Sequence, residues 1–335
     1  MPNEALFAYG VGRIRAIEKR LLDRSKLEKM IDSKTPEDAL KILIDAGYGE
    51  SSGGISYSRA NGYERLLREE RKKLYRLLSE LTEKSDALNV FLLNNDYHNI
   101  KVLLKAEFLG INADDLLLEP ATIPVENMKM IIRDRSFKQM PGYMSQAIEE
   151  SIDIFNRTRD PQQIDLILDR AYFRHIVELA NNAGLDFIKE FVVTSIDLTN
   201  IKTFIRLKRL NMPVDFLKKN LIQGGKIDIN TFIDSAGKPL EAFIETMKKT
   251  SYEKIFTKDG NVSQDINIAS FEKRTDDYIM AMIKKGKYKT FGIEPLIGYL
   301  LAKETEFKNI RIIMVGKINN ITSDIIRERL RETYV

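Results

Sequence analysis

The chain contains no cysteine and no tryptophan, and His98 and His175 are the only histidines among its 335 residues. Without cysteine there are no disulfides, no thiol catalysis and no thiolate-held metal. Two histidines also make a histidine-ligated metal site a poor expectation, since such sites usually need several ligands of this kind. We interpret both as packed or surface side chains rather than general bases. We therefore expect no cofactor and no metal.

Long apolar runs are also missing. No stretch approaches the roughly 20 residues that cross a bilayer, and the first residues lack the charged-then-apolar layout of a signal peptide. We expect a cytoplasmic protein whose membrane association, if it has any, is peripheral. The 53 basic and 49 acidic residues leave a net charge of +4, which is too balanced to indicate a nucleic-acid partner.

The sequence has none of the common catalytic signatures. It contains no Gly-x-x-x-x-Gly-Lys-Ser/Thr phosphate loop, no His-Glu-x-x-His and no Gly-x-Ser-x-Gly. Tyr9-Gly10-Val11-Gly12 follows no predicted strand and is not a dinucleotide loop. No pair of carboxylates stands out as acid and base. We therefore expect no enzymatic activity and no small-molecule substrate.

One pattern is present three times: an acid, two variable residues, Asn-Ile, a base, one variable residue and two bulky apolar residues. Internal repetition on this scale indicates that the fold is built from copies of one unit. A fainter copy, Arg13 to Ile17, has Arg in place of Asn. The acids, asparagines and bases of the three full copies are Asp96, Asn99 and Lys101; Asp197, Asn200 and Lys202; and Glu306, Asn309 and Arg311.

Helical spacing gives these residues a physical role. The acid and the Asn are three positions apart and share a helix face, and the apolar residues continue the same packing stripe. A polar pair in such a stripe must be hydrogen-bonded, or each orphaned group costs about 1–3 kcal/mol. We favour three structural clamps that fix a neighbouring loop or helix end through equivalent inter-helix hydrogen bonds. The alternative is three partner-binding or catalytic carboxamides.

Almost every segment is predicted to be helical, with no sustained alternation typical of strands. Caps are predicted at Asn3, Ser25, Thr35 and Asp160. Paired long helices are predicted over about 57–83 and 87–109, 161–182 and 185–210, and 269–285 and 291–316, followed by a last short helix at 324–332. The first helix, about 3–22, has no such partner and is expected to pack near the C-terminal end. The fold class is all-α with three divergent repeats, spanning 1–115, 116–213, and 214–335 with closing C-terminal helices.

Several stretches, taken in order, resemble a known family. They are Tyr9 with Arg13–Ile17, the Asn-Ile-Lys motifs at Asn99 and Asn200, Phe291–Glu304 with Asn309-Ile310-Arg311, and the closing Ile326–Leu330 with Tyr334-Val335. Together they resemble the C subunit of prokaryotic V-type (A/V-type) rotary ATPases, the counterpart of the d subunit of the eukaryotic V-ATPase. The resemblance spans the chain.

The resemblance implies a non-catalytic, funnel-like helical protein with pseudo-three-fold symmetry. It implies a central-stalk position on the cytoplasmic face of the membrane, between the shaft made of the D and F subunits and the proteolipid rotor ring. The implied function is transmission of torque for ATP-linked H⁺ or Na⁺ transport. Two alternatives remain: a helical-repeat scaffold for an unrelated protein partner, and an all-helical enzyme with an active site between repeats.

Overall fold

The computed structural model describes residues 7–49, 62–82, 86–258, 261–262 and 268–335. Nearly all of the ordered elements in this part are helices, which confirms the all-α class. One small departure is an antiparallel pair of two-residue strands, β1 (Thr257–Lys258) and β2 (Asn261–Val262). No helix of the described segments is both long enough and apolar enough to cross a membrane. The chain divides into two compact units, residues 1–83 with 251–335 and residues 84–250.

The first unit joins the two ends of the chain. A short 3-10 helix, Glu18–Arg20, follows its first α-helix. Its α-helices are α1 (Ala8–Ile17), α2 (Arg24–Asp32), α3 (Pro36–Asp45), α4 (Tyr63–Leu81), α13 (Glu253–Phe256), α14 (Ile268–Gly286), α15 (Glu294–Ile318) and α16 (Ser323–Arg329).

Helix α15 is the core of the first unit. It packs against α14, α4, α1, α2, α3 and α16 and buries side chains on all sides, as a central helix does. The predicted packing of the first helix near the C-terminal end is confirmed by the contact of α1 with α15. The approach is close at Gly10, where an added Cβ would lie 3.1 Å from a methyl of Leu296.

The second unit is organised around α8, which packs against α5, α7 and α9. Aromatic pairs join neighbouring helices: the stacked rings of Phe108 and Phe155 have centroids 3.9 Å apart, and the tilted rings of Phe204 and Phe243 have centroids 4.0 Å apart. Such contacts add to the apolar area that the helices bury. The α-helices are α5 (Asn89–Leu109), α6 (Val125–Arg133), α7 (Gly142–Thr158), α8 (Pro161–Ala183), α9 (Asp186–Arg209), α10 (Val214–Asn220), α11 (Ile229–Ala236) and α12 (Leu240–Met247).

Two of the predicted caps are confirmed and one is wrong. Thr35 accepts a hydrogen bond from the Asp38 N–H at 3.1 Å, and Asp160 caps α8. The cap of α2 is Asp23, not Ser25: its carboxylate accepts the Lys26 N–H at 2.8 Å. An acid at this end also interacts favourably with the helix dipole. The predicted cap Asn3 lies outside the described residues.

Helix ends also differ from the prediction. Helix α1 stops at Ile17 and gives way to the 3-10 turn, so it is shorter than predicted. Helix α16 ends at Arg329, three residues before the predicted end. Residues 57–61 and 83, predicted to belong to α4, lie outside the described part of the chain.

A titratable side chain is buried in the second unit. The imidazole of His175 stacks on the ring of Tyr143, with centroids 5.4 Å apart, and its Nδ1 lies 3.3 Å from the Tyr97 hydroxyl. Burial lowers the pKa of His175, and the opposing charge of Glu178 does not cancel this effect. In the folded state the imidazole therefore takes up its proton at a lower pH than in the unfolded chain.

We expect the thermal midpoint to fall as the pH drops below about 6.5, because the unfolded chain then binds the His175 proton before the folded chain does. His175→Phe keeps a ring in the stack but cannot titrate, so its midpoint should change less between pH 7.5 and 5.5. His98→Gln is the control for the other histidine. The same pH dependence in wild type and His175→Phe would contradict this expectation.

Candidate functional site

The three repeated motifs occupy three long helices, α5, α9 and α15. All three bury side chains around the whole helix, not on one stripe as the spacing predicted. The acids and asparagines are almost completely enclosed: Asp96, Asn99, Asp197 and Asn200 are 0% exposed. Glu306 is 6% exposed and Asn309 is 1% exposed. Polar groups at this depth need hydrogen-bond partners.

Each motif asparagine holds one loop residue through two hydrogen bonds. The side-chain amide donates to the backbone carbonyl of that residue, and the side-chain oxygen accepts its backbone N–H. The partner lies 19 or 22 positions further along the chain. It is in a loop, one of the two targets expected of the clamps, although the hydrogen bonds do not join two helices as expected. The pairs are Asn99 with Leu118 (2.9 and 2.7 Å), Asn200 with Ile222 (2.8 and 2.8 Å) and Asn309 with Arg331 (3.0 and 2.8 Å).

In the first two copies the acid holds the same loop further on. Each carboxylate accepts two consecutive backbone N–H groups, one on each oxygen. The donors are Thr122 and Ile123 for Asp96 (both 2.9 Å), and Lys226 and Ile227 for Asp197 (3.0 and 3.1 Å). In the second copy the loop lies so close that a Cβ on Gly225 would collide with the Asp197 carboxylate.

The acid of the third copy has different partners. Glu306 accepts the backbone N–H of Leu22 at 2.5 Å and a hydrogen bond from the Tyr48 hydroxyl. Lys303 forms an ion pair with the same carboxylate at 2.5 Å and donates to the Tyr48 hydroxyl at 2.8 Å. Burial, then the charge of Glu306, raises the pKa of Tyr48 well above its usual value, so Tyr48 acts as a neutral donor.

Burial disfavours the charged form of the Asp96 carboxylate. Burial raises its pKa, and the backbone N–H groups of Ile123 and Thr122 oppose that rise without cancelling it. A carboxylate in a site of low dielectric is disfavoured unless hydrogen bonds replace its hydration. The two N–H groups are that replacement, and they tie the position of the loop to the Asp96 side chain.

The repeat extends beyond the motif to the end of each helix. Eleven residues after the motif asparagine stands a residue with positive φ: Gly110 (64°), Asn211 (52°) and Asn320 (54°). The next N–H bonds to the carbonyl five positions back, as in a Schellman helix end. These bonds are Ile111 to Ala106 (3.0 Å), Met212 to Leu207 (3.0 Å) and Ile321 to Gly316 (2.8 Å).

The motif bases lie at the edge of the packing. Lys101 pairs with Asp169 of α8 at 2.5 Å, and Arg311 pairs with Glu64 of α4 at 3.0 Å. Lys202 is half-buried on α9. In two copies, therefore, the base joins the motif helix to a second long helix.

Sequence reasoning identified the motif side chains and a loop or helix end as their target, but not the residues that they hold. The left-handed residues were detectable, because Gly or Asn recurs eleven positions after each motif asparagine. Tyr48 and Leu22 carried no local signal, since their importance arises only from the fold. The faint first copy is not equivalent to the others: Arg13 is exposed and pairs loosely with Glu80 at 3.8 Å.

Within the described ranges, no group of three or more His, Asp or Glu side chains is arranged to hold a metal ion. One open cleft of about 570 Å³ in the first unit has Lys19, Arg20, Lys26, Lys73 and Lys303 among its lining residues. Two of these lysines are neutralised by ion pairs, Lys73 with Glu70 (2.7 Å) and Lys303 with Glu306.

The fold and the site define an all-helical protein built on three related helix–loop clamps. The sequence model of the ATP synthase (C/AC39) subunit family matches residues 10–329. Because that match covers nearly the whole chain, the chain belongs to this family, whose members are subunits of rotary ATPases.

Individual relatives match over a similar length. The C subunit of the V-type sodium ATPase of Enterococcus hirae is 27% identical over 96% of this chain and 97% of its own length. The C subunit of the A-type ATP synthase of Methanocaldococcus jannaschii is 27% identical over 97% of this chain and 86% of its own length. That of Pyrococcus furiosus is 25% identical over 97% and 89%.

The stabilising role of the motif asparagines remains a prediction. Replacing Asn99, Asn200 or Asn309 by Leu removes two hydrogen bonds and leaves a loop N–H and carbonyl without their partner. Each replacement should lower the free energy of unfolding by about 1–3 kcal/mol, measured by urea denaturation. Asn94→Leu, at an exposed position of α5, is the matched control and should change it by less than about 0.5 kcal/mol. Equal effects at Asn94 and Asn99 would contradict the clamp.

Proposed function

We propose that this chain is the non-catalytic coupling subunit of a rotary V-type ATPase central stalk. It joins the shaft of the D and F subunits to the proteolipid ring on the cytoplasmic face of the membrane. It transmits torque for ATP-linked transport of H⁺ or Na⁺. The observation that carries the proposal is the family match over residues 10–329, with relatives that are C subunits of such ATPases and align over most of both chains.

The physical design supports a mechanical role. Torque is transmitted only by a body that resists internal shear. The clamps fix the loops that follow the motif helices, so these loops cannot move independently of the helix cores. Ion pairs between long helices oppose sliding of one helix along the other. Lys105 of α5 pairs with Asp165 of α8 at 2.7 Å in the second unit, and Arg71 of α4 pairs with Glu304 of α15 at 2.5 Å in the first. Each such pair is worth only about 0–1 kcal/mol, so the clamps and the packed core supply most of the stiffness.

The threefold repetition fits a coaxial coupling. As part of the proposal, three equivalent units stand about one axis in a funnel-like arrangement and enclose a socket for the tip of the shaft. A chain builds such repeats by using the same helix packing several times, and each repeat then buries its core against the neighbouring repeats.

Two other functions predict different behaviour. A scaffold for an unrelated partner would not accompany an ATPase through purification. An enzyme with an active site between repeats would show turnover as an isolated protein, and it would need carboxylates with strongly shifted pKa values in a closed cleft. The sequence contains no phosphate loop that would favour nucleotide hydrolysis.

The direct test is affinity purification of the tagged full-length protein from its own washed, detergent-solubilised membranes. We expect native mass spectrometry to find the ATPase head, the D and F subunits and the membrane ring, with one copy of this chain per complex. The reciprocal purification through a tagged ring subunit should recover this chain in the same ratio.

The same purification from an untagged strain is the control for adventitious binding. Recovery of the chain alone, or with proteins unrelated to a rotary ATPase, in both directions would contradict the proposal. Recovery at several copies per complex would contradict the central-stalk position, because a single axis has room for one coupler.

A further inference from the structure

In the first two copies the loop held by the acid leads directly into a short helix. Ile123 donates to Asp96, and the next residue, Pro124, occupies the N-cap position of α6. Ile227 donates to Asp197, and the next residue, Asp228, caps α11. The order is the same in both: motif helix, Asn-held loop, acid-held loop, cap, helix.

In the third copy the acid-held residue comes from the other end of the chain. Leu22, the donor to Glu306, precedes it by 284 positions. The next residue, Asp23, caps α2 as Asp228 caps α11. Both caps accept an N–H of the first helical turn, although not at the same position: Asp23 accepts that of Lys26, three residues on, at 2.8 Å, and Asp228 that of Asn230, two residues on, at 2.7 Å. Leu22-Asp23-α2 therefore repeats the arrangement of Ile227-Asp228-α11.

We infer that residues 21–48, called here the N-terminal strap, are the final part of the third repeat and not the beginning of the first. The packing agrees. Helix α11 packs against α9 and α10 in the second copy, and α2 packs against α15 and α16 in the third. The strap thus occupies, by non-covalent docking, the place that a continuous segment fills in the other copies. This assignment does not depend on the proposed function.

Besides Glu306, other side chains of α15 and α16 hold the strap. Arg327 pairs with Glu28 at 2.8 Å and also with Asp32, and hydrogen bonding to Arg327 lowers the pKa of Glu28. Lys317 donates to the Ile31 carbonyl at 2.7 Å. The rings of Phe307 and Tyr48 pack in a T-shaped arrangement with centroids 6.4 Å apart.

The strap also contributes apolar side chains to the core of the first unit. Leu27, Met30, Ile31, Leu40 and Leu43 are each no more than 1% exposed. The third repeat is then residues 268–335 together with 21–48, and the first repeat begins at α4. This replaces the division 1–115, 116–213 and 214–335 expected from the order of the chain.

If the strap belongs to the third repeat, replacing the two motif acids Asp197 and Glu306 should loosen segments at very different distances along the chain. Loss of Asp197 should loosen the segment that follows it in sequence, α11. Loss of Glu306 should loosen α2 and α3, nearly the whole chain away. We would compare Asp197→Leu and Glu306→Leu in the full-length protein by hydrogen–deuterium exchange with mass spectrometry, reading peptides from 24–45 and 229–236.

Glu306→Leu should speed exchange in 24–45 by about tenfold or more and leave 229–236 unchanged, and Asp197→Leu should do the reverse. If Glu306→Leu does not fold, Arg327→Ala gives the same reading with a smaller change of about threefold in 24–45. Arg133→Ala, which removes an exposed local pair with Asp134, is its control and should change neither segment.

Unchanged exchange in 24–45 in both Glu306→Leu and Arg327→Ala would overturn the assignment. So would faster exchange confined to α16 in these variants, because the third clamp would then end with its own contiguous segment.

Discussion

A buried side-chain amide must satisfy a donor and an acceptor at the same time, and one loop residue that offers its carbonyl and its N–H satisfies both. Asn99, Asn200 and Asn309 use this solution at distances between 2.7 and 3.0 Å. The requirement is strict, since a side chain that lacks either group leaves a buried orphan. Each motif asparagine therefore fixes one point of a loop against a central helix.

The constraint fixes contacts, not loop lengths. The held residue lies 19 positions after Asn99 but 22 after Asn200 and Asn309. The difference lies in the element between: a three-residue 3-10 turn, Asp114–Leu116, stands in the first copy where α10 and α16 are helices of seven residues. Connections tolerate such changes when both ends remain anchored. The acid of the third copy also keeps its contact while the connection changes: the residue that donates to Glu306 is Leu22, which is not in the segment that follows the motif helix.

Much of the architecture was predictable because local signals dominate it. The all-α class, the caps at Thr35 and Asp160 and the three long motif helices follow from periodicity and turn residues. The choice of Asp23 over Ser25 as a cap depends on the extended backbone of Asp23. Asp23 follows directly after Leu22, whose N–H is held by Glu306, and this is a tertiary contact. For the same reason Tyr48 could not be recognised. Spacing placed the acid and the Asn on one face correctly and allowed a loop as their target, but it could not reveal which loop residues they hold.

The central claim is that three asparagine side chains are locked in equivalent hydrogen bonds. The most direct measurement is the solvent-exchange rate of their side-chain amide protons by NMR on protein labelled with ¹⁵N-asparagine. We expect a slowly exchanging amide group for each of these asparagines, and each group should be lost from the spectrum in the corresponding Asn→Leu variant. Exchange of these amides at the rate of exposed Asn94 would contradict the claim, because a doubly bonded, buried amide cannot exchange without local opening.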